Sequence, residues 1–426
     1  IVHPVVSVRR NPDGRLAQIL DRDTSGERRE SMIYMEIARA DAKERRELVA
    51  DISRVLADVR AAVTDWIKLQ TAMHDDAERC HDSEAAALLR WFLDRNFTQL
   101  GHETHVRGQA PCAPLGFCRN DGPPLLNKAT IEASMAWFAR GGRAPLIIKS
   151  NRISSVHRRV LIDLIIIPVH DESGLSGISI HAGLWTSAAL SSPPERVPML
   201  RNMLSELLKK FDFDPSGHAG KALAHVLTQL PHDLLISVDS AQIETLALTA
   251  MSIADRPRPK LHMLTAALQR HLFAFVWLPR DEVSTGRRLA IEAMLTQRTQ
   301  GKVLSWSITM EDGGAALLRY AIDLRGGVIP DAQALDEELE AMVRGWVPGV
   351  EKALSELGEG RASVLAGRFA ARFPAAYRLS HSPDEAALDI LRLHDLGDDS
   401  PVDVRISQFG GAGAARLRLK VYSHIG

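Results

Sequence analysis

Residues 140–159 hold Arg140, Arg143, Lys149, Arg152, Arg158 and Arg159 with no acidic residue among them, interleaved with Asn151, Ser154, Ser155 and His157. A turn of that composition sets guanidinium forks beside an ammonium and an amide, the donors that hold a carboxylate or phosphate through charge-assisted hydrogen bonds. Lys149, Asn151, Arg152, His157 and Arg158 are therefore the candidate anion- or effector-binding residues. The plainer reading, which the composition favours, is a basic strand connection that pairs with acidic surface elsewhere. Asp163 stands inside an apolar run, where an unpaired carboxylate is costly, so Arg158 or His157 is the expected partner.

Other chemical patterns lack their context. Gly217-His218-Ala219-Gly220-Lys221-Ala222 has the Gly-Lys pair of a phosphate loop, but Pro215 stands where that loop needs Gly, and Ala222 where it needs Ser or Thr for magnesium. The Gly-Gly-Ala-Gly run within 410–415 is followed by a strand pattern rather than a helix, so it reads as a hairpin turn and not as a dinucleotide fingerprint. His102-Glu103-Thr104-His105 has the wrong spacing for a zincin pair. Cys112 and Cys118 with those histidines make a weaker zinc candidate than two ordinary small thiols. No nucleophile elbow or kinase motif is present. No catalytic, cofactor-binding or metal-ligating residue is assigned.

The elements that position these residues belong to a chain of 426 residues, 45% apolar and 25% charged, long enough for two to four domains. With 52 basic against 53 acidic residues and 5% aromatics, nucleic acid is a poor partner. The longest apolar stretch, 160–169, is broken by Asp163 and is far short of a membrane span. Three cysteines without a CxxC pair suit a reducing cytoplasm. The chain opens in mid-strand without Met and stops four residues after a strand pattern, which reads as a piece of something longer.

Residues 2–10 and 15–21 flank an Asn-Pro-Asp-Gly turn and predict a hairpin, and 31–38 predict a further strand. From Asp41, with Glu44 completing a capping box, Leu48, Ile52, Val55, Leu56, Val59, Val63, Trp66 and Ile67 predict one long amphipathic helix. Ser83 caps a second helix over 84–94. Strand patterns follow at 97–106, 146–150, 161–169 and 178–186, with an irregular connection at 108–124, and predict one antiparallel sheet with a helix at its edge. Helices over 199–211, 217–230 and 242–254 form a connector. Residues 261–324 read as ββαββ, a ferredoxin-like sandwich finished by the next helix. The acidic helix over 331–357 reads as a solvated linker, and a helix at 382–393 precedes a terminal hairpin.

Taken in order, these segments resemble the amino-terminal region of the large bacterial NAD-dependent glutamate dehydrogenases. The resemblance is carried by His3-Pro4-Val5 with Arg9-Arg10 and Asp13-Gly14-Arg15-Leu16, and by Leu89-Arg90-Trp91 with Phe97-Thr98-Gln99-Leu100-Gly101. It continues through Lys149-Ser150-Asn151-Arg152 with Ser154-Ser155-Val156-His157-Arg158, Gly183-Leu184-Trp185-Thr186-Ser187, and Pro231-His232-Asp233-Leu234. Leu278-Pro279-Arg280-Asp281 and Phe373-Pro374-Ala375-Ala376-Tyr377 close it. The resemblance implies an α+β fold: tandem small ferredoxin-like (ACT-type) modules with a PAS-like antiparallel-sheet domain and helical connectors. The implied divisions are 1–75, the end of a first ACT-type domain; 80–195, PAS-like; 196–255, helical connector; 256–328, second ACT-type domain; 329–371, helical linker; and 372–426, the start of a third ACT-type domain. One departure stands out: 264–273 lacks the Asp-Pro-Phe-Gly turn usual there, which puts a ligand contact at that turn in doubt.

The implied parent reaction is oxidation of L-glutamate to 2-oxoglutarate and ammonia, with NAD held by a downstream domain outside this chain. The implied partners are that catalytic domain, other subunits of a homo-oligomer and an amino-acid effector, with no nucleic acid and no membrane. The competing class is a non-enzymatic sensor or scaffold of similar modules acting on another protein.

Overall fold

The computed structural model describes residues 4–20, 28–120, 122–172, 174–311, 314–324, 326–397, 401–409 and 416–423. Strand β1 (Val5–Arg10) pairs antiparallel with β2 (Leu16–Leu20) across a turn whose Gly14 has φ +80°, and with β3 (Arg28–Ser31) on its other edge. The strand expected over 31–38 is not formed. Ser31 lies opposite Val5, the first residue of β1, and Pro4 beyond it has no N–H with which to extend the ladder. Residues 32–40 run irregularly, with Ile33, Tyr34 and Ile37 exposed.

Asp41 caps α1 (Ala42–Thr64) through the N–H groups of Lys43 and Glu44, and Glu44 returns to the Asp41 N–H, which is the expected capping box. The single long helix, however, breaks at Asp65, and α2 (Trp66–Arg79) continues from there. The buried Asp65 carboxylate accepts the Gly116 N–H at 2.9 Å and pairs with Arg119 at 2.7 Å, contacts made more than fifty residues away. The apolar stripe also faces the other way from the expectation: Leu48, Ile52, Leu56, Val63 and Ile67 are exposed, whereas Asp58, Ala61 and Ala62 are buried.

After α3 (Ser83–Trp91), capped by Asp82 rather than Ser83, comes a five-stranded antiparallel sheet. Its strands are β4 (Phe97–Val106), β5 (Cys112–Gly116), β6 (Leu146–Ile153), β7 (Leu161–Asp171) and β8 (Gly174–Trp185), in the order β5-β4-β8-β7-β6. β5 occupies part of the expected irregular connection. There Gly116, at φ +61°, lets its backbone approach the Leu100 carbonyl, which a Cβ would meet at 2.1 Å. The edge helix is α4 (Lys128–Ala139). One sheet face carries Leu100, Ile162, Leu164, Ile166 and Ile180 towards α4, and the other carries Phe97, Ile147, Ile165, Ile167 and Trp185 towards α3 and the helices that follow. Burial on both faces is why 161–167 is apolar almost throughout.

The connector consists of α5 (Ser187–Leu190), α6 (Leu200–Lys210), α7 (His218–Gln229), α8 (His232–Ser237) and α9 (Ser240–Asp255). The next module is β9 (Lys260–Thr265), β10 (His271–Pro279), α10 (Thr285–Thr299), β11 (Lys302–Met310), β12 (Ala315–Asp323) and α11 (Ala332–Val343), with sheet order β11-β12-β10-β9, all antiparallel. Counted from β12 through α11 and back to β9, this is the order of a ferredoxin-like βαββαβ sandwich with its first strand and first helix moved to the end. The acidic helix is therefore not a solvated linker over its first half: Leu335, Leu339 and Val343 are buried in the core of this module. The other face of the sheet packs Phe275, Trp277 and Leu317 onto the connector.

Helices α12 (Trp346–Glu356), α13 (Ala362–Phe369), α14 (Ala375–Ser380) and α15 (Pro383–Asp395) form a small bundle around Val350, Leu354, Ala366 and Ile390. A hairpin of β13 (Val402–Phe409) and β14 (Arg416–Ser423) follows. Asp389 of α15 holds it through Tyr422 and Lys420, each at 2.6 Å. The glycine turn at 410–415 lies outside the described residues. No helix among the described residues is long and apolar enough to cross a membrane.

Candidate functional site

Strand β6 and the loop that leads to β7 carry all five of the basic-turn candidates, and the structure sends them in different directions. Lys149 sits opposite Asp163 in the β6–β7 register, so alternation puts both side chains on the face turned to the connector. There the Lys149 ammonium meets Asp163 at 2.5 Å and also Asp233 of α8. The expected Arg158 or His157 partner for Asp163 is thus replaced by Lys149. Sequence order favours the near arginine, but cross-strand pairing brings in the residue fourteen positions back.

Asn151 reaches the ferredoxin-like module. Its Nδ2 donates to Asp323 at 3.0 Å, and its Oδ1 accepts from His271 Nε2 at 2.7 Å. Arg152 points to the opposite side, over the Phe117 ring at 4.5 Å and towards Asp58 of α1 at 3.3 Å. Asp58 also accepts from Ser155 at 2.7 Å and Asn120 at 2.9 Å. Arg158 donates to the Trp185 carbonyl, and His157 stands exposed in the left-handed region at φ 66°. The turn is thus a junction: Arg152 ties the sheet to α1, Lys149 ties it to α8, and Asn151 ties it to β10 and β12.

One lysine cannot neutralise two buried carboxylates. Burial pushes Asp163 up to about 6 against the opposing charge of Lys149, with Asp233 adding to the rise. Asp233 is also pushed up by burial, but Lys149 holds it below the ordinary carboxylate range. Burial likewise lowers His271 to about 4, so Asn151 faces a neutral imidazole.

Beside this triad a cleft of about 680 Å³ opens between the connector and the connector-facing side of the β9–β12 sheet, lined among others by Lys149, Arg159, Asp233, Phe273, Ser307 and Arg319. The Arg319 guanidinium donates to the hydroxyls of Ser307 at 3.2 Å and Thr309 at 3.3 Å and makes no ion pair among the described residues. Burial lowers its pKa. The cleft therefore sets a guanidinium that lacks a carboxylate near a carboxylate pair that shares one cation, which is the charge pattern of a small zwitterion's two ends. Asp233 and Arg319 were not singled out from sequence. Arg319 had a readable signal, as the one charged residue inside an otherwise apolar strand pattern at 315–322.

The cysteines do not gather with the histidines of β4. Cys112 is exposed, Cys118 is partly buried with its thiol pushed up to about 12 by that burial, and His105 pairs with Glu103 at 2.8 Å.

Four segments match families described as glutamate dehydrogenase domains: the ACT1 domain over residues 1–52, helical motif 1 over 197–256, the ACT2 domain over 260–347 and helical motif 2 over 353–396. NAD-specific glutamate dehydrogenases of Halomonas elongata and Pseudomonas aeruginosa are 25% and 27% identical to it, covering 99% and 98% of this chain. That of Mycobacterium tuberculosis is 23% identical over 98% of the chain. The chain spans 28%, 28% and 27% of the length of these relatives. A blue-light activated histidine kinase of Erythrobacter litoralis EL346 covers 53% of this chain and 95% of its own at 11% identity and TM-score 0.15, too slight a likeness to bear on the fold.

Proposed function

Because the chain belongs to the NAD-specific glutamate dehydrogenases, we propose that it forms the regulatory and assembly region of such an enzyme, acting in the cytoplasm. The parent reaction oxidises L-glutamate with water and NAD+ to 2-oxoglutarate, ammonia and NADH. NAD and the catalytic groups belong to another part of that enzyme, and these 426 residues are inactive alone. The observation that carries this reading is the collinear series of ACT1, helical motif 1, ACT2 and helical motif 2 segments. The sheet between the first two is read as PAS-like. In its own strand numbering its order is 2-1-5-4-3, that of a PAS-type sheet, with α4 between the second and third strands.

The regulatory ligand of this reading is an amino acid in the cleft, its carboxylate on Arg319 and its ammonium towards Asp233, with Lys149 linking the cleft to the junction. Binding acts by favouring one arrangement of the modules over another. Assembly with other subunits is supported by exposed apolar positions such as Ile406, Leu417 and Leu419 on the terminal hairpin.

The test compares the full-length enzyme with this chain for glutamate-dependent NADH formation, then repeats the assay with a panel of amino acids on Arg319→Gln. The expected result is activity only in the full-length protein, and an amino-acid response that Arg319→Gln loses while basal turnover stays. NADH formation by this chain alone, or an unchanged response in the variant, overturns the corresponding part.

A further inference from the structure

The geometry points to a site for one divalent transition-metal ion of zinc's chemistry, held by Asp76, His102 and His181 where α2 lies on the five-stranded sheet. His102 and His181 are directly opposed in the β4–β8 register, so their rings share a face, with centroids 4.7 Å apart. Asp76 comes from α2, which covers that face. One donor atom from each of the three lies within 4.8 Å of the others. Two imidazoles and a carboxylate are a donor set that zinc accepts, with a fourth position left for Ser179 or water.

The distances fit with little movement. His181 Nε2 lies 2.7 Å from Asp76 Oδ2, Ser179 Oγ lies 2.6 Å from that same oxygen, and His102 Nε2 lies 2.9 Å from Ser179 Oγ. Donors about 2.0–2.1 Å from a common tetrahedral centre stand about 3.3 Å apart, so the group opens by about half an ångström to admit the ion. Arg79 also reaches Asp76, but its side chain is largely exposed and is free to swing to solvent when a cation takes its place.

A second observation is independent of those distances. His102, His181 and Asp76 are at most 5% exposed, yet Nδ1 of both rings lacks a hydrogen-bond partner. Buried polar atoms without a partner are rare, and two such atoms in one cluster mark it as incomplete as a hydrogen-bond network. Coordination takes the Nε2 atoms and replaces their hydrogen bonds to Asp76 and Ser179 with direct bonds to the ion. The ion would pin α2, and through it the helix pair that follows the amino-terminal strands, onto the sheet. No residue of the cleft or the Lys149 junction takes part.

The test uses the full chain, stripped of metal with a chelator and titrated with zinc in a calorimeter and with cobalt(II) in a spectrophotometer. One equivalent of heat, with the intense visible bands of four-coordinate cobalt, is the expected result. X-ray absorption at the zinc edge should show nitrogen and oxygen neighbours and no sulfur, which requires no variant and sets this site apart from one built on Cys112 or Cys118. In folded His181→Gln and Asp76→Asn proteins, zinc binding should weaken by at least about a hundredfold, the upper end of what loss of a mere outer-shell partner costs. His105→Gln should bind as the parent does. Absence of stoichiometric binding in the folded chain, sulfur in the zinc shell, or undiminished binding in folded His181→Gln overturns the proposal.

Discussion

Replacing Lys149 with Met keeps most of the side chain's length and deletes the one cation shared by two buried carboxylates. Removing one partner of a buried ion pair costs about 3–5 kcal/mol, because the remaining charge is left uncompensated. At about 2–4 °C per kcal/mol for domains of this size, the transition that melts β6, β7 and α8 should fall by roughly 6–20 °C. The pH dependence is the sharper readout. In the parent protein Asp163 is raised to about 6, above its unfolded value, so the folded state holds the more protons between about pH 4 and about pH 6. Its contribution to stability is therefore full below that window and declines as pH rises through it.

Without Lys149 the chief opposition to burial is lost at both carboxyls, so both are pushed higher and the window extends upward. The deficit of Lys149→Met should consequently be largest near about pH 8 and shrink as pH falls towards about 5. Calorimetric melting at several pH values reads this directly. Adding Asp163→Asn and Asp233→Asn to Lys149→Met should recover most of the loss. A deficit that does not vary with pH, or a triple variant no more stable than the single, would falsify the assignment of the triad as a charge-balanced tie.

Three further outcomes are expected. Asn151→Ala removes the acceptor for His271 and a donor to Asp323, and should cost about 1–3 kcal/mol, seen as faster hydrogen exchange in β10 and β12 with β4 unchanged. Asp389→Ala strips Tyr377, Tyr422 and Lys420 of their shared carboxylate and should release the terminal hairpin to limited proteolysis while α12 and α13 stay protected; equal protection of the hairpin in parent and variant would refute its anchoring role. A thiol reagent at neutral pH should label the exposed Cys112 well before Cys118, whose thiol is pushed up to about 12, and peptide mapping that finds Cys118 labelled first would contradict that burial.

What could be read from the chain depended on the range of the interaction. The Asn11–Gly14 turn and the Asp41 cap are settled within four residues, and they were legible. The break at Asp65 was not, because what stops the helix is a backbone N–H at Gly116 and a guanidinium at Arg119. The stripe from Leu48 to Ile67 has helical period, but period alone does not say which face meets the protein, and here the small face with Ala61 and Ala62 does. In α11 the spacing of Leu335, Leu339 and Val343 was visible, and the acidic outer face obscured it. At the junction the residue types were readable and the partners were not: Lys149 with Asp163 requires the strand register, while Asp58, Asp233, His271 and Asp323 come from other modules.

Lys149 belongs both to the tie and to the wall of the cleft, and that double membership has a thermodynamic consequence. A ligand ammonium that approaches Asp233 competes with Lys149 for the same carboxylate and so alters the balance that holds Asp163 near 6. Ligand binding and proton binding are then linked, and each shifts the other by the same factor. Calorimetry of an amino-acid effector in buffers of different ionisation enthalpy should therefore show a fractional proton exchanged on binding near about pH 6, and close to none near about pH 8, where both carboxyls are ionised throughout. The exchange near about pH 6 should vanish in Asp163→Asn, which removes the titrating group and leaves Lys149 to hold Asp233 ionised. A ligand that binds with no proton exchange at either pH does not touch the triad, and its signal would have to reach the junction by way of Arg319 and the β9–β12 sheet instead.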